Sequence, residues 1–142
     1  MPSASHTAVY DLPRETLYDV FADYASYPEF LDHFDSVEVL SKLANGMRLS
    51  VRGRMLGPVS YVLEVELERP HRIAWRYVEG SGFHSMEGSC DFVALDNATT
   101  EVTYEVDARP RVLVPGFIVQ KTMRDHLPDL LDLFYERALS LE

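Results

Sequence analysis

Few side chains in this sequence can do chemistry, and they are scattered. The five histidines are His6, His33, His71, His84 and His126. No two are spaced as H-x-x-H or H-x-x-x-H, the separations that bring two imidazoles onto one metal. The single cysteine, Cys90, has no second thiol for a metal pair or a disulfide, so no metal site is expected. Asp32, His33 and Asp35 have the types of a cation site or a general base, and equally those of a polar helix end. No Ser-His-Asp order with a nucleophile elbow occurs, because Gly80-Ser81-Gly82 falls in a hairpin turn and not between a strand and a helix. Cys90 lies on an apolar strand face, where burial raises a thiol's pKa and leaves a small inert hydrophobe. Glu87 and Asp91, with Ser85 and Ser89, alternate away from Cys90 toward solvent. The polar groups that the pattern turns inward are Tyr61, Tyr77 and Tyr104, which are hydrogen-bond donors before they are proton-transfer catalysts.

The elements that must position these groups follow from hydrophobic periodicity. Ser5–Leu12 alternates His6, Ala8, Tyr10 against Thr7, Val9, Asp11 and predicts a short strand. Pro13 then opens a helix whose Leu17, Val20, Phe21 and Tyr24 fall on one stripe. A second short helical piece is expected over Pro28–Phe34, with Phe30, Leu31 and Phe34 on one face. From Ser36 to Asp107 the period is two. Strands are expected at Val37–Leu43, Met47–Met55, Val59–Glu68, Arg72–Glu79, Phe83–Leu95 and Thr100–Asp107, and Asn45-Gly46 marks the first hairpin. Short turns between consecutive strands make an antiparallel meander. Met123, Leu127, Leu130, Leu131, Phe134, Ala138 and Leu141 then form a C-terminal helical stripe. Pro128 should kink that helix near Arg124 or split it with Asp125 as a new N-cap. Helices packed on an antiparallel sheet make the class α+β, in a single domain over residues 1–142.

The two faces of the sheet differ in kind. Inward positions include Gly53, Ile73, Trp75, Tyr77, Met86, Gly88, Cys90, Phe92, Ala94, Val102, Tyr104 and Val106, small residues among large aromatics with polar tips. Outward, a turn at Leu56–Pro58 places Arg48 and Ser50 across from Glu66 and Glu64, with Arg52 diagonal to Glu64. Arg72 and Arg76 then meet Glu68 and Glu64 from the other side. Such exposed pairs contribute at most about 1 kcal/mol each and serve solubility. Thirteen basic against 23 acidic residues give a net charge of −10, which repels phosphate backbones and anionic lipids, so no nucleic-acid partner and no stable membrane insertion are expected. One cysteine and the absence of a secretory leader over Met1–Tyr10 fit the cytoplasm.

Three stretches carry a family resemblance: YPEFLDHFDSVEVL (Tyr27–Leu40), GFHSMEGSCDF (Gly82–Phe92) and TEVTYEV (Thr100–Val106). Together with the element order, which covers essentially the whole chain, they resemble the START-like (SRPBCC) superfamily, in its polyketide cyclase/dehydrase and coenzyme-Q-binding branch. The stretch G-x-C-x-F departs from that family's usual G-x-W-x-F at Cys90, and the smaller side chain leaves room in the interior. The resemblance implies a helix-grip fold, a curved antiparallel sheet wrapped around a long C-terminal helix, with an apolar tunnel between them. It implies a lipid, quinone or polyketide-like ligand and no metal or redox cofactor. By matching position, the implied lining is Phe30, Phe34, Tyr61, Trp75, Tyr77, Met86, Cys90, Tyr104, Phe117 and Met123.

The expected function is therefore binding of a hydrophobic small molecule by a monomer or homodimer, without covalent chemistry. A polyketide aromatase/cyclase is the alternative, which an inward carboxylate, histidine or arginine would favour. A second alternative from the same resemblance is a ribosome-association toxin-like protein, which the negative charge disfavours. The apolar run Val112–Val119 is expected either to bury the start of the C-terminal helix or to act as a gate or membrane lip over the tunnel.

Overall fold

A computed structural model describes residues 3–54, 57–111 and 114–141. Strand β1 (Ser3–Tyr10) leads into helix α1 (Arg14–Ala22) and a 3-10 turn (Tyr24–Glu29). Six strands follow: β2 (Phe34–Leu43), β3 (Gly46–Arg54), β4 (Pro58–Glu68), β5 (Arg72–Gly80), β6 (Phe83–Asp96) and β7 (Thr99–Pro110). Helix α2 (Gly116–Ser140) closes the chain. All neighbours pair antiparallel in one seven-stranded sheet of order β1-β7-β6-β5-β4-β3-β2, so β1 returns to pair with the last strand. The expected α+β class and meander are what the structure shows.

Three details differ from the sequence expectation, each for a local reason. The helical piece expected over Pro28–Phe34 is instead the 3-10 turn at Tyr24–Glu29, and Phe34 is already in β2, paired with Gly53. The Tyr27 hydroxyl donates to the Phe21 carbonyl, which ties this turn back onto the end of α1. The β3–β4 register is displaced by two residues: Arg48 faces Glu64 and Ser50 faces Val62, because Pro58 belongs to β4 and pairs with Arg54. Arg52 consequently faces Ser60, away from Glu64. Finally, α2 runs unbroken through Pro128. The missing N–H at Pro128 costs one helical hydrogen bond, yet Leu127, Leu130 and Leu131 around it are buried and hold both halves on the same body.

On the other side of β4 the expected register is present, with Glu68 facing Arg72 and Glu64 facing Arg76. Arg76 and Arg48 converge on Glu64 at 2.7 and 3.2 Å, and Arg72 pairs with Asp91 at 2.8 Å. Gly46 is required by a close approach: a Cβ there would run into the backbone carbonyl of Val65 on β4. The core gathers at one end of the inner face. Phe21 stacks on Phe134 at 4.1 Å and meets Phe92 edge-on at 5.1 Å, while Tyr18 meets Phe92 at 5.3 Å. Leu17, Leu49, Val65, Val102 and Leu131 complete it, and the buried Thr100 hydroxyl donates to the Leu12 carbonyl. No described helix is long and apolar enough to cross a membrane.

Candidate ligand-binding site

The packing of α2 changes along its length. Its buried residues are Leu127, Leu130, Leu131, Phe134 and Ala138, all in the C-terminal half. In the N-terminal half only Val119 and Met123 are even partly covered, and the other positions from Gly116 to His126 are exposed. The helix is therefore anchored on the core by its second half, while its first half stands off the sheet. An amphipathic stripe interrupted in this way leaves sheet surface uncovered by protein.

A cavity of about 1100 Å³ borders that half of the helix. It reaches from Ala4 on β1 across Val106, Gly88, Trp75 and Val65 to the Leu43–Gly46 hairpin between β2 and β3. Those ends are opposite edges of the sheet. Gln120 and Arg124 of α2 complete the wall. Both are exposed, so they stand at the mouth. Most of the sheet residues that border it are the outward alternates, among them Glu64, Glu66, Arg76, Glu87, Ser89 and Glu105, so its wall is largely polar.

Beside the cavity, inward residues stay accessible. Trp75, Tyr77, Met86, Tyr104 and Tyr61 are only partly buried, whereas Leu63, Val65, Ile73, Cys90 and Phe92 on the same face are buried in the core. Here the sheet itself opens. β5 and β6 pair only from Arg72↔Asp91 to Arg76↔Glu87, so Tyr77 and Met86, next in line, diverge. Phe83 packs edge-on between Tyr61 (5.6 Å) and Tyr77 (6.0 Å) at the splayed end. The Trp75 ring lies across Gly88 and tilts against Tyr104 at 5.1 Å. Only glycine fits beneath it, because a Cβ on Gly88 would fall inside the indole and 2.6 Å from the Glu105 carbonyl oxygen.

The polar tips in this region divide into two groups. Tyr77 donates to the Gly80 carbonyl, Tyr10 donates to Asp132 at 3.1 Å, and Tyr18 and Tyr27 donate to backbone carbonyls. Tyr61, Tyr104 and the Trp75 indole N–H have no hydrogen-bond partner among the described residues. All three residues are only partly buried. Burial pushes the Tyr104 hydroxyl well above its ordinary pKa and that of Tyr61 up to about 12, so both are neutral at physiological pH. Burial also raises the Cys90 thiol, with the Asp91 carboxylate adding to the effect, as expected for a sulfur that is 1% exposed.

Of the ten residues singled out from sequence, five are gathered in this region, Tyr61, Trp75, Tyr77, Met86 and Tyr104 on the sheet, while Met123 is partly covered on the stripe of α2 that continues into Leu127. Trp75 is the one of them that borders the cavity itself. Phe30 and Phe34 are packed elsewhere, and Cys90, opposite Tyr104 in the β6–β7 register, is buried in the core. Phe30 sits against Phe134 at 5.4 Å beneath the Arg137 guanidinium at 5.3 Å, and Phe34 packs on Tyr27 at 5.4 Å. Phe117 does not join the set: it is 73% exposed in the first turn of α2, where the helix has left the sheet. Val112 and Leu113 of the expected gate lie outside the described residues, as does Met55. Among the described residues no cluster of three potential metal ligands occurs. Asp35 pairs with Arg54 at 3.1 Å, and the His33 ring lies 6.0 Å from that of His126.

Three polar groups escaped the sequence reading. His6 stands directly opposite Tyr104 in the β1–β7 register, on the face shared by Ala4, Ala8 and Tyr10, and is partly buried. The alternation of β1 contained that signal, since Tyr10 is a core residue of the same parity. Arg124 and Gln120 precede the buried Leu127 by three and seven residues, so they continue its stripe toward the cavity. Their polar types hide them from a search for apolar periodicity.

Comparison with solved structures places the fold among known ones. A START superfamily protein from Mycobacterium smegmatis superposes with a TM-score of 0.87 at 19% identity, over 99% of each chain. A Thermus thermophilus protein gives 0.84 at 22% identity, again over 99% of each. The Zhui aromatase/cyclase from Streptomyces sp. R1128 gives 0.79 at 18% identity, over 96% of this chain and 92% of that one. No curated protein matches the sequence. Residues 10–134, nearly the whole chain, match the family described as polyketide cyclase / dehydrase and lipid transport. The chain thus has a START-like, helix-grip fold and belongs to the polyketide cyclase/dehydrase and lipid transport family.

Proposed function

We propose that the chain binds an apolar small molecule carrying one or two hydrogen-bonding groups, of lipid, quinone or polyketide-like character, between the inner face of the sheet and the N-terminal half of α2. The observation that carries this reading is a set of partly buried inward aromatics whose donors no described residue satisfies, Tyr61, Tyr104 and Trp75, the last of which borders the cavity. Apolar burial supplies on the order of 25 cal/mol per Å² removed from water, and the donors orient the ligand's acceptor. The test is native mass spectrometry of the purified protein, followed by organic extraction. A co-purifying apolar molecule, displaced or weakened by Tyr104→Phe, supports the reading. A protein that neither carries nor takes up any such molecule, with Trp75 fluorescence unmoved by apolar probes, sinks it.

A second reading, that the site also cyclises a polyketide-like substrate, is favoured by one observation. His6 is the imidazole beside Tyr104 on the inner face, a base and an acid on adjacent strands. A neutral imidazole can take a proton from a carbon between two carbonyls while a tyrosine hydroxyl hydrogen-bonds the developing enolate oxygen. Turnover of a poly-β-ketone analogue that His6→Gln abolishes, with binding retained, would establish it. Equal turnover by the variant would remove it.

A further inference from the structure

The uncovered half of α2 has a charge unlike the rest of the molecule. Between Ala108 and Arg124 the sequence holds Arg109, Arg111, Lys121 and Arg124 and no acidic residue, within a chain whose net charge is −10. Phe117, Lys121 and Arg124 follow the i, i+4, i+7 spacing of a single helical stripe and are all exposed. Phe117 is 73% and Ile118 43% exposed, large apolar side chains presented to water beside cations. Lys121 bonds only to the exposed Asp125 one turn on, at 2.8 Å, a contact that water and salt screen. Arg124, at the cavity mouth, has no carboxylate partner among the described residues.

An exposed aromatic next to Arg124, and to a Lys121 whose one partner is the solvent-exposed Asp125, on a helix whose other half is anchored, has the chemistry of a surface that meets an anionic bilayer. Its cations attract the headgroups, and the apolar side chains enter the boundary beneath them. We propose that the first turns of α2 dock the protein reversibly on anionic lipid membranes, with Phe117 and Ile118 entering the interface and Lys121 and Arg124 on the headgroups. The overall negative charge does not oppose this, because the acidic sheet face is screened over about a Debye length while the patch is in contact. It does keep the docking transient. Docking does not depend on what the interior carries, and a protein that proves to have no ligand still tests it.

The experiment is co-sedimentation of the full chain with vesicles of phosphatidylcholine alone and of phosphatidylcholine mixed with phosphatidylserine, at low and high salt. The expected result is binding to the mixed vesicles only, lost at high salt. Lys121→Gln with Arg124→Gln should lower the affinity about 25-fold, since each basic side chain at such a surface contributes roughly fivefold. Phe117→Ser should lower it about tenfold. These residues are exposed, so unchanged circular dichroism is expected and serves as the folding control. No vesicle binding, equal binding to both compositions, or binding indifferent to the three substitutions overturns the proposal. So does retention by an RNA or DNA oligonucleotide in place of vesicles, which would assign the patch to nucleic acid. A mass in solution that Phe117→Ser halves, without vesicle binding, would assign it to a second copy of the chain and equally overturn it.

Discussion

Removing a tyrosine hydroxyl normally destabilises a protein when that hydroxyl is bonded inside the core. Tyr27 is such a case: its hydroxyl donates to the Phe21 carbonyl in a buried setting, so Tyr27→Phe leaves that acceptor without its partner and should cost about 1–3 kcal/mol. Tyr104 points into the same interior but has no partner among the described residues, and its ring is only partly buried against Trp75 at 5.1 Å. Tyr104→Phe should therefore leave the stability of the unliganded protein within about 0.5 kcal/mol. In a chain of 142 residues about 1 kcal/mol moves the midpoint by roughly 3 °C, so thermal melts separate the two variants. Binding should respond in the opposite order. Tyr104→Phe removes a donor facing the ligand and should weaken an acceptor-bearing apolar ligand by about five- to tenfold, equivalent to about 1 kcal/mol. Trp75 is the only tryptophan and borders the cavity, so its emission reports the titration directly. If Tyr104→Phe destabilises the free protein as much as Tyr27→Phe while leaving affinity unchanged, the hydroxyl is satisfied within a closed core and the open-site argument is wrong.

Other expectations follow from the same geometry. Gly88→Ala should cost about 1–3 kcal/mol, because the new Cβ overlaps the Trp75 indole and crowds the Glu105 carbonyl, and it should shift Trp75 emission as the ring is driven off the sheet. Unchanged emission with lowered stability would place the strain in the backbone alone. In base, the folded state holds the tyrosine protons that the unfolded chain releases near pH 10.0, so stability should fall as pH rises above that value. For Tyr61 the loss should continue to about 12, at up to about 1.4 kcal/mol per pH unit. Urea melts across that range check it, and a flat profile would refute it. His33 behaves oppositely: partial desolvation first, and then the neighbouring His126, lower its pKa beneath 6.5, so its contribution, small because the residue is exposed, is intact above that value and fades as pH falls through it. His126→Gln should flatten that acid limb, and an unaltered limb would show that the two rings do not interact.

Alternation carries most of what is legible in the sequence. It separates the inner from the outer face on every strand from β3 to β7, and the five residues gathered in the open region are all inward positions of that pattern. Its failures have distinct physical origins. The β3–β4 register depends on whether Pro58 belongs to the turn or to the strand, and a shift there displaces every cross-strand pair while leaving the faces unchanged. Phe30 and Phe34 have types that suit a lining. Whether such an aromatic is lining or core depends on neighbours distant in sequence, here Phe134 and Arg137 for Phe30 and Tyr27 for Phe34. Phe117 has the hydrophobicity of an inward residue, yet the helix carrying it leaves the sheet before reaching it. A lone imidazole such as His6 carries no spacing signal, and only the pairing of the first strand with the last brings it beside Tyr104.

The division of α2 into an anchored and a free half bears on how a ligand could enter. Leu131 is 0% exposed in a core closed by Phe134 and Ala138, so moving the second half would expose much of the apolar surface that holds the fold together. The first half contributes only Val119 and Met123 to partly covered surface, so moving it costs little apolar burial. Pro128 lies between the two, where a helical hydrogen bond is already absent, and a change of angle there breaks one bond fewer than it would elsewhere in the helix. Stability and access are therefore assigned to different turns of one helix. Substitutions from Leu127 onward should act on stability, and those before it on the rate of ligand exchange.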